Sequence, residues 1–219
     1  SFRDQMLIFA QKPSATTCAE IEVWNKLGRY VNRGTKGIAL LVDRNVPYKL
    51  RHVFDISDTN SYYGNEVRLW TMKPEHEELV IEALENSFGE VENKSTFSDV
   101  LLKIADLAVT DNLTDYCEQL NSVRDGSFLE EIDSLNAEVY FRGLLKNSVQ
   151  YMLLTRCGYN AEEVFDAEDF RDICNFNTIE TLNILGCAGS DISEMVLQEI
   201  AETVKAAERE SKKKNRTFA

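Results

Sequence analysis

The sequence predicts an α+β protein, mostly α: a small N-terminal helix plus β-hairpin module followed by an acidic multi-helix domain. Three observations carry that class. Charge is partitioned along the chain, with net +5 over residues 1–54, −22 over 55–208 and +4 over 209–219. Apolar residues form short runs at 38–42 and 49–56, bounded by turn residues, whereas from Pro74 onward they recur at helical spacing. At 219 residues, 43% of them apolar, the chain is long enough for one substantial core plus a small satellite module. The expected division is an α/β module over 1–72, an acidic helical domain over 73–209 and a basic tail over 210–219.

The elements follow in order. Thr17 and Glu20 stand in capping-box register, and Ile21, Trp24, Leu27 and Val31 follow at helical spacing, so a helix is expected over residues 18–31. Gly34 and Gly37 frame a turn. Residues 38–42 read as a short buried strand, 44–47 as a loop and 49–56 as the returning strand of a hairpin. Residues 57–66 read as a polar linker, and 67–72 as a third strand. Pro74 suits the first turn of a helix running to Phe88 and closed by Gly89. Residues 95–109 and 112–123 read as two more helices. Ser127 and Glu130 make a second capping box, starting a helix that runs to Cys157 and stops at Gly158. Segments 161–165, 167–174, 179–185 and 190–209 complete the helical array.

Composition narrows the function. A net charge of −13 and a pI near 4.7 exclude a general nucleic-acid coat protein. The five cysteines, Cys18, Cys117, Cys157, Cys174 and Cys187, are odd in number, widely spaced and without a C-x-x-C pair, so reduced, buried thiols are expected. The apolar run at 6–10 is too short for a signal peptide or a membrane span, and a bacterial cytoplasmic location with no membrane partner is expected. Opening on Ser1 without a methionine, the chain reads as a trimmed piece of something longer.

The most informative stretch is 24–41, where Lys26, Arg29, Arg33 and Lys36 crowd a helix-to-strand transition with Trp24 and Tyr30. Cations of one sign beside exposed rings suit a phosphate backbone with unstacked bases. Lys26, Arg29, Arg33, Lys36, Lys49 and Arg51 are therefore the candidate phosphate contacts, with Tyr30 or Tyr48 as the stacking platform. The alternative is a solvated helix end at the negative pole of the helix dipole. Trp24 lies on the apolar stripe and is assigned to the core.

These residues also carry a resemblance. Trp24-Asn25-Lys26-Leu27-Gly28-Arg29, then Asn32-Arg33-Gly34-Thr35-Lys36-Gly37-Ile38, preceded by Pro13-Ser14-Ala15-Thr16, resembles the N-terminal domain of the ArdC antirestriction family over about residues 1–60. The resemblance implies single-stranded-DNA binding, as in domains that open large plasmid and conjugative-element proteins. A softer likeness to those proteins continues through His52–Thr59 and 144–158. Family members often add a zinc-peptidase-like domain with His-Glu-x-x-His. Here His76-Glu77-Glu78-Leu79-Val80 lacks the second histidine, and no metal is expected.

The carboxylate-rich stretches (75–85, 130–138 and 162–172) read as solvated helix faces, the functional alternative being mimicry of DNA phosphates or docking on a basic partner. Cys18 is expected in a helix N-terminal turn, where a thiol pKa can fall, but no histidine neighbours it in sequence. No phosphate loop is present, and neither catalysis nor a cofactor is expected. The tail Lys212–Lys214 reads as a frayed helix end or linker. The leading expectation is a non-catalytic, single-stranded-DNA-binding accessory module of a mobile genetic element. The alternative is an acidic protein-interaction inhibitor of a host defence nuclease, with the helical domain as its docking surface.

Overall fold

The computed structural model describes residues 1–42, 49–61, 64, 67 and 69–217, with side chains as far as Ser211. It is an α+β protein, mostly α, in two compact units, Ser1–Leu69 and Trp70–Ala219. The division falls at 69/70 and not after 72 because Trp70 and Met72 pack against the helical core, and the Arg156 guanidinium lies 3.6 Å over the Trp70 ring.

The first unit opens with helix α1 (Phe2–Gln11), which is not among the elements expected from sequence; Leu7 and Ile8 pack on the buried trio Ile38, Leu40 and Val53. Strand β1 (Cys18–Ala19), helix α2 (Ile21–Lys26), strand β2 (Arg29–Val31), strand β3 (Ile38–Leu41), strand β4 (Leu50–Asp55), a 3-10 turn (Ile56–Asp58) and strand β5 (Thr59–Ser61) follow. β1, β4 and β3 form one antiparallel sheet in that order, and β2 pairs with β5 in another. The expected hairpin is present, with Ile38 opposite Val53 and Leu41 opposite Leu50. Along the edge strand β3, the Gln11 side-chain amide donates to Ala39 O and accepts from Ala39 N, at 2.9 and 3.0 Å, closing part of an otherwise open sheet edge.

Three expectations are corrected here. The helix over 18–31 shrinks to the six residues of α2. Thr17 cannot cap it, because its N–H donates to Asp55 Oδ1 (3.0 Å) and its carbonyl accepts from Ile56 N. Glu20 turns to Arg51 (3.1 Å), Ala19 is drawn into pairing with Phe54, and Gly28 at φ +72° ends the helix. Second, the expected linker 57–66 contains β5, paired residue for residue with β2. Third, no strand occurs among the described residues of 67–72. The expected loop 44–47 lies outside the described residues.

The second unit packs α3 (Glu77–Phe88), α4 (Phe97–Val123), α5 (Ser134–Cys157) and α6 (Ile179–Thr217) around one apolar core. A 3-10 turn at Pro74–His76 leads into α3, and Gly89 (φ +112°) ends it. The expected pair of helices over 95–123 is a single α4, capped by Thr96 and Asp99. Polar residues at the expected boundary bond back along the helix: Thr110 Oγ1 donates to Asp106 O and Asn112 Nδ2 to Ala108 O. The Ser127–Glu130 box holds a turn, with Glu130 accepting from Gly126 N, and α5 starts later, capped by Asp133. Gly158 ends α5 in the left-handed conformation (φ +91°). Segments 161–165 and 167–174 are 3-10 turns at Ala161–Glu163 and Glu168–Asn175, the second leading to Phe176, whose buried ring lies 6.1 Å from that of Phe141.

The two helices expected over 179–209 are one, α6, with Leu185, Ala188, Ile192, Val196, Ile200 and Val204 as its buried stripe. Its backbone continues as helix through 210–217, where a frayed helix end or linker is expected. A Cβ at Gly189 would meet Met152 Cε at 3.5 Å and Leu145 Cδ1 at 3.9 Å, ordinary contact distances. Gly189→Ala is therefore expected to stabilise the helical unit by about 0.5–1 kcal/mol. Ile192→Ala, at a site 1% exposed, should destabilise it by about 2–5 kcal/mol. Urea unfolding followed by helical circular dichroism measures both.

Candidate nucleic-acid interface

The candidate site is built on a buried carboxylate. Asp55, 1% exposed, ends β4; its Oδ1 accepts from Thr16 N (2.7 Å) and Thr17 N (3.0 Å). Its Oδ2 accepts from Ser57 N (3.0 Å) and from the Ser57 hydroxyl, and Lys12 Nζ stands 3.8 Å away. The Ser57 contacts form an Asx-type turn, the one part of this hub that Asp55-Ile56-Ser57 advertises in sequence. These hydrogen bonds outweigh the desolvation that opposes them and hold the Asp55 pKa far below the usual carboxylate range. The hub fixes the 12–17 segment against β4, and Trp24, 1% exposed, locks α2 on the same strand through Nε1–H to Phe54 O (2.9 Å).

The basic turn hangs from this frame. Asn32 N donates to Asp58 O (2.9 Å), and Thr35 N donates to Asn32 O (3.2 Å), closing a turn with Arg33 and Gly34 at its corner. Gly34 holds φ +88°, which the third position of such a turn requires. Gly37 then passes so close to β4 that a Cβ there would lie 3.1 Å from both His52 Cβ and Phe54 Cζ. The backbone on both sides of Lys36 is thus held while the side chain is exposed.

The eight sequence-predicted residues divide. Arg29 is structural: its Nε donates to Thr59 Oγ1 (2.7 Å) and Nη2 to Thr59 O (3.0 Å), fastening β2 to β5. Arg51 pairs with Asp4 (2.9 Å) and Glu20 (3.1 Å), joining α1 to the N-terminus of α2. Lys26, Arg33, Lys36 and Lys49 are exposed and form no ion pair among the described residues. Lys36 and Lys49 stand at opposite ends of the β3–β4 ladder, roughly 15–20 Å apart along the strands. The remaining candidates are therefore Lys26 at the end of α2, and Arg33 and Lys36 on the turn after β2. Tyr30, 36% exposed, stands on β2 opposite Asn60; Tyr48 lies outside the described residues.

Sequence reading also missed how Lys12 is used: its Nζ donates to Asp58 Oδ2 (2.8 Å), which raises its pKa. Cys18 is corrected from helix N-terminus to strand β1, where burial first and then the Asp55 charge push its pKa up, so it is not an activated thiol. Cys174 is exposed, not buried. Among the described residues no group of three or more His, Cys, Asp or Glu converges as a metal site, and no helix is long and apolar enough to cross a membrane. Comparison of the chain with protein-family models, with curated proteins and with solved structures finds no match.

Because Asp55 is charged in the folded unit at pH values where a free carboxylate is half protonated, its contribution is fully present above the unfolded pKa of about 3.9 and is lost as pH falls below it. Asp55→Asn should cost about 3 kcal/mol at pH 7. The gap between wild type and variant should narrow steadily below about pH 4, measured by chemical denaturation monitored through Trp24 fluorescence.

Proposed function

We propose that the first unit binds single-stranded DNA through backbone attraction, with Lys26, Arg33 and Lys36 as the phosphate contacts and Tyr30 as the stacking surface, and that the protein is a non-catalytic accessory of DNA transfer or antirestriction. The observation that carries this reading is the division of the cations. Lys12, Arg29 and Arg51 are committed to internal partners, whereas Lys26 is presented to solvent at the end of α2, and Arg33 and Lys36 on the turn that follows β2. Pre-positioned, unpaired cations bind phosphate without first breaking an internal bond. The Trp24–Ile38 motif, which resembles the ArdC N-terminal domain, supplies the ligand class and the mobile-element context. Net charge falls to +3 over 1–69, since Asp55, Asp58 and Glu66 join and only Arg68 offsets them, so attraction is local to the turn.

Fluorescence anisotropy with a labelled oligothymidylate tests the reading. Lys26→Ala/Arg33→Ala/Lys36→Ala should lose most of the affinity, and the slope of log K against log salt should fall by about 2, near 0.7 per lost contact on a single strand. Lys49→Ala should have a smaller effect. Binding that survives the triple variant, or tighter binding to duplex than to single strand, contradicts the reading.

A further inference from the structure

Among the described side chains, the helical unit uses most of its cations internally. Lys73 meets Glu75 and Glu208 (both 3.7 Å), Lys94 meets Glu85 (2.5 Å), Arg142 meets Asp106 (3.6 Å) and Arg171 meets Glu168 (3.4 Å). Arg124 and Arg156 donate to the backbone carbonyls of Ile132 and Trp70. Among the described residues three lysines of this unit have no carboxylate partner. One, Lys205, is exposed on α6. The other two, Lys103 on α4 and Lys146 on α5, are both partly buried, and both line one cleft of about 470 Å³.

The cleft has a definite chemistry. Lys103 Nζ gives hydrogen bonds to Glu92 O (2.5 Å) and Asn93 O (2.8 Å), which fixes the loop before α4 and leaves one proton. Asn93 is held at φ +54° in that loop, a conformation uncommon outside glycine. Buried Gln150 commits its amide nitrogen to Leu102 O (2.8 Å), which leaves its carbonyl oxygen as an acceptor. Val91, Leu102 and Leu107 supply apolar wall. Neither lysine forms an ion pair among the described residues, and an anion between the two ammoniums would gain charge-assisted hydrogen bonds from both. Asp106, also in the lining, is already matched by Arg142, while Glu90 and Glu92 stand exposed in the lining and disfavour a doubly charged ligand.

We propose that this cleft is a binding site for a small organic monocarboxylate: its carboxylate on Lys103 and Lys146, its apolar body on Val91, Leu102 and Leu107, and a hydrogen-bond donor on Gln150 Oε1. The site shares no residue with the basic turn, and the proposal does not rest on nucleic-acid binding.

N-acetyl-leucine carries all three features and is the probe; N-acetyl-leucinamide is the same molecule without the charge. In a titration of the full chain followed by amide NMR, the acid should give saturable shifts at residues 91, 102, 103 and 146, with a dissociation constant of about millimolar order for a ligand of this size. The amide should bind at least tenfold more weakly, and Lys146→Gln should weaken the acid at least tenfold while Lys205→Gln leaves it unchanged. Absence of saturable shifts, equal binding of acid and amide, or unchanged binding in Lys146→Gln overturns the proposal. The acid–amide comparison is made on the unmodified chain and decides the matter even if a variant folds poorly.

Discussion

The Asp55 carboxylate is the constraint on which the basic unit depends. It is nearly inaccessible to solvent and charged, and four hydrogen bonds from Thr16, Thr17 and Ser57 satisfy it. Those bonds join the segment before β1, the end of β4 and the 3-10 turn that leads to β5. A six-residue helix such as α2 has no independent stability, and β1 and β2 hold two and three residues. None of them persists without the frame that Asp55, the Trp24 indole and the Arg29–Thr59 bonds assemble. The presentation of Lys26, Arg33 and Lys36 is therefore set by groups that would never touch a ligand.

The two units manage charge in opposite ways. In the first, arginine is used to stitch the backbone together, and the cations left over sit on turns and at a helix end. In the second, carboxylates do much of the local work. Asp99 and Asp133 cap α4 and α5, Glu85 holds Val91 N and Lys94, and Glu130 accepts from Gly126 N. Asp99 and Asp133 face helix N-termini, where negative charge is favoured. The remaining acids give the unit a negative field, which makes the two unmatched lysines of the α4–α5 cleft stand out.

Much of this was legible in the sequence, and the rest was hidden for one recurring reason. The hairpin, the Pro74 start, the glycine stops at 89 and 158 and the burial of Trp24 all follow from local pattern. The helix expected over 18–31 failed because Ala19 pairs with Phe54 and Thr17 is claimed by Asp55, both far along the chain. The breaks expected in α4 and α6 do not occur: Thr110 and Asn112 bond back to helix carbonyls in the first, and Leu185, Ala188 and Ile192 carry one buried stripe across the second. The same holds for the site. Which residues are cationic was visible, but that Arg29 and Arg51 are occupied depends on Thr59 and Asp4, 30 and 47 residues away.

The central claim is that solvent-facing cations on the 26–36 stretch, and not the structurally committed ones, meet the nucleic acid. Lysine acylation of the full chain, read by mass spectrometry with and without a saturating oligothymidylate, measures this residue by residue. Lys26 and Lys36 should be labelled readily in the free protein and protected in the complex, Lys12 should label slowly in both, and Lys73, Lys103 and Lys146 should not respond. Labelling of Lys26 and Lys36 that is indifferent to the oligonucleotide, or protection that falls on the helical unit, contradicts the account.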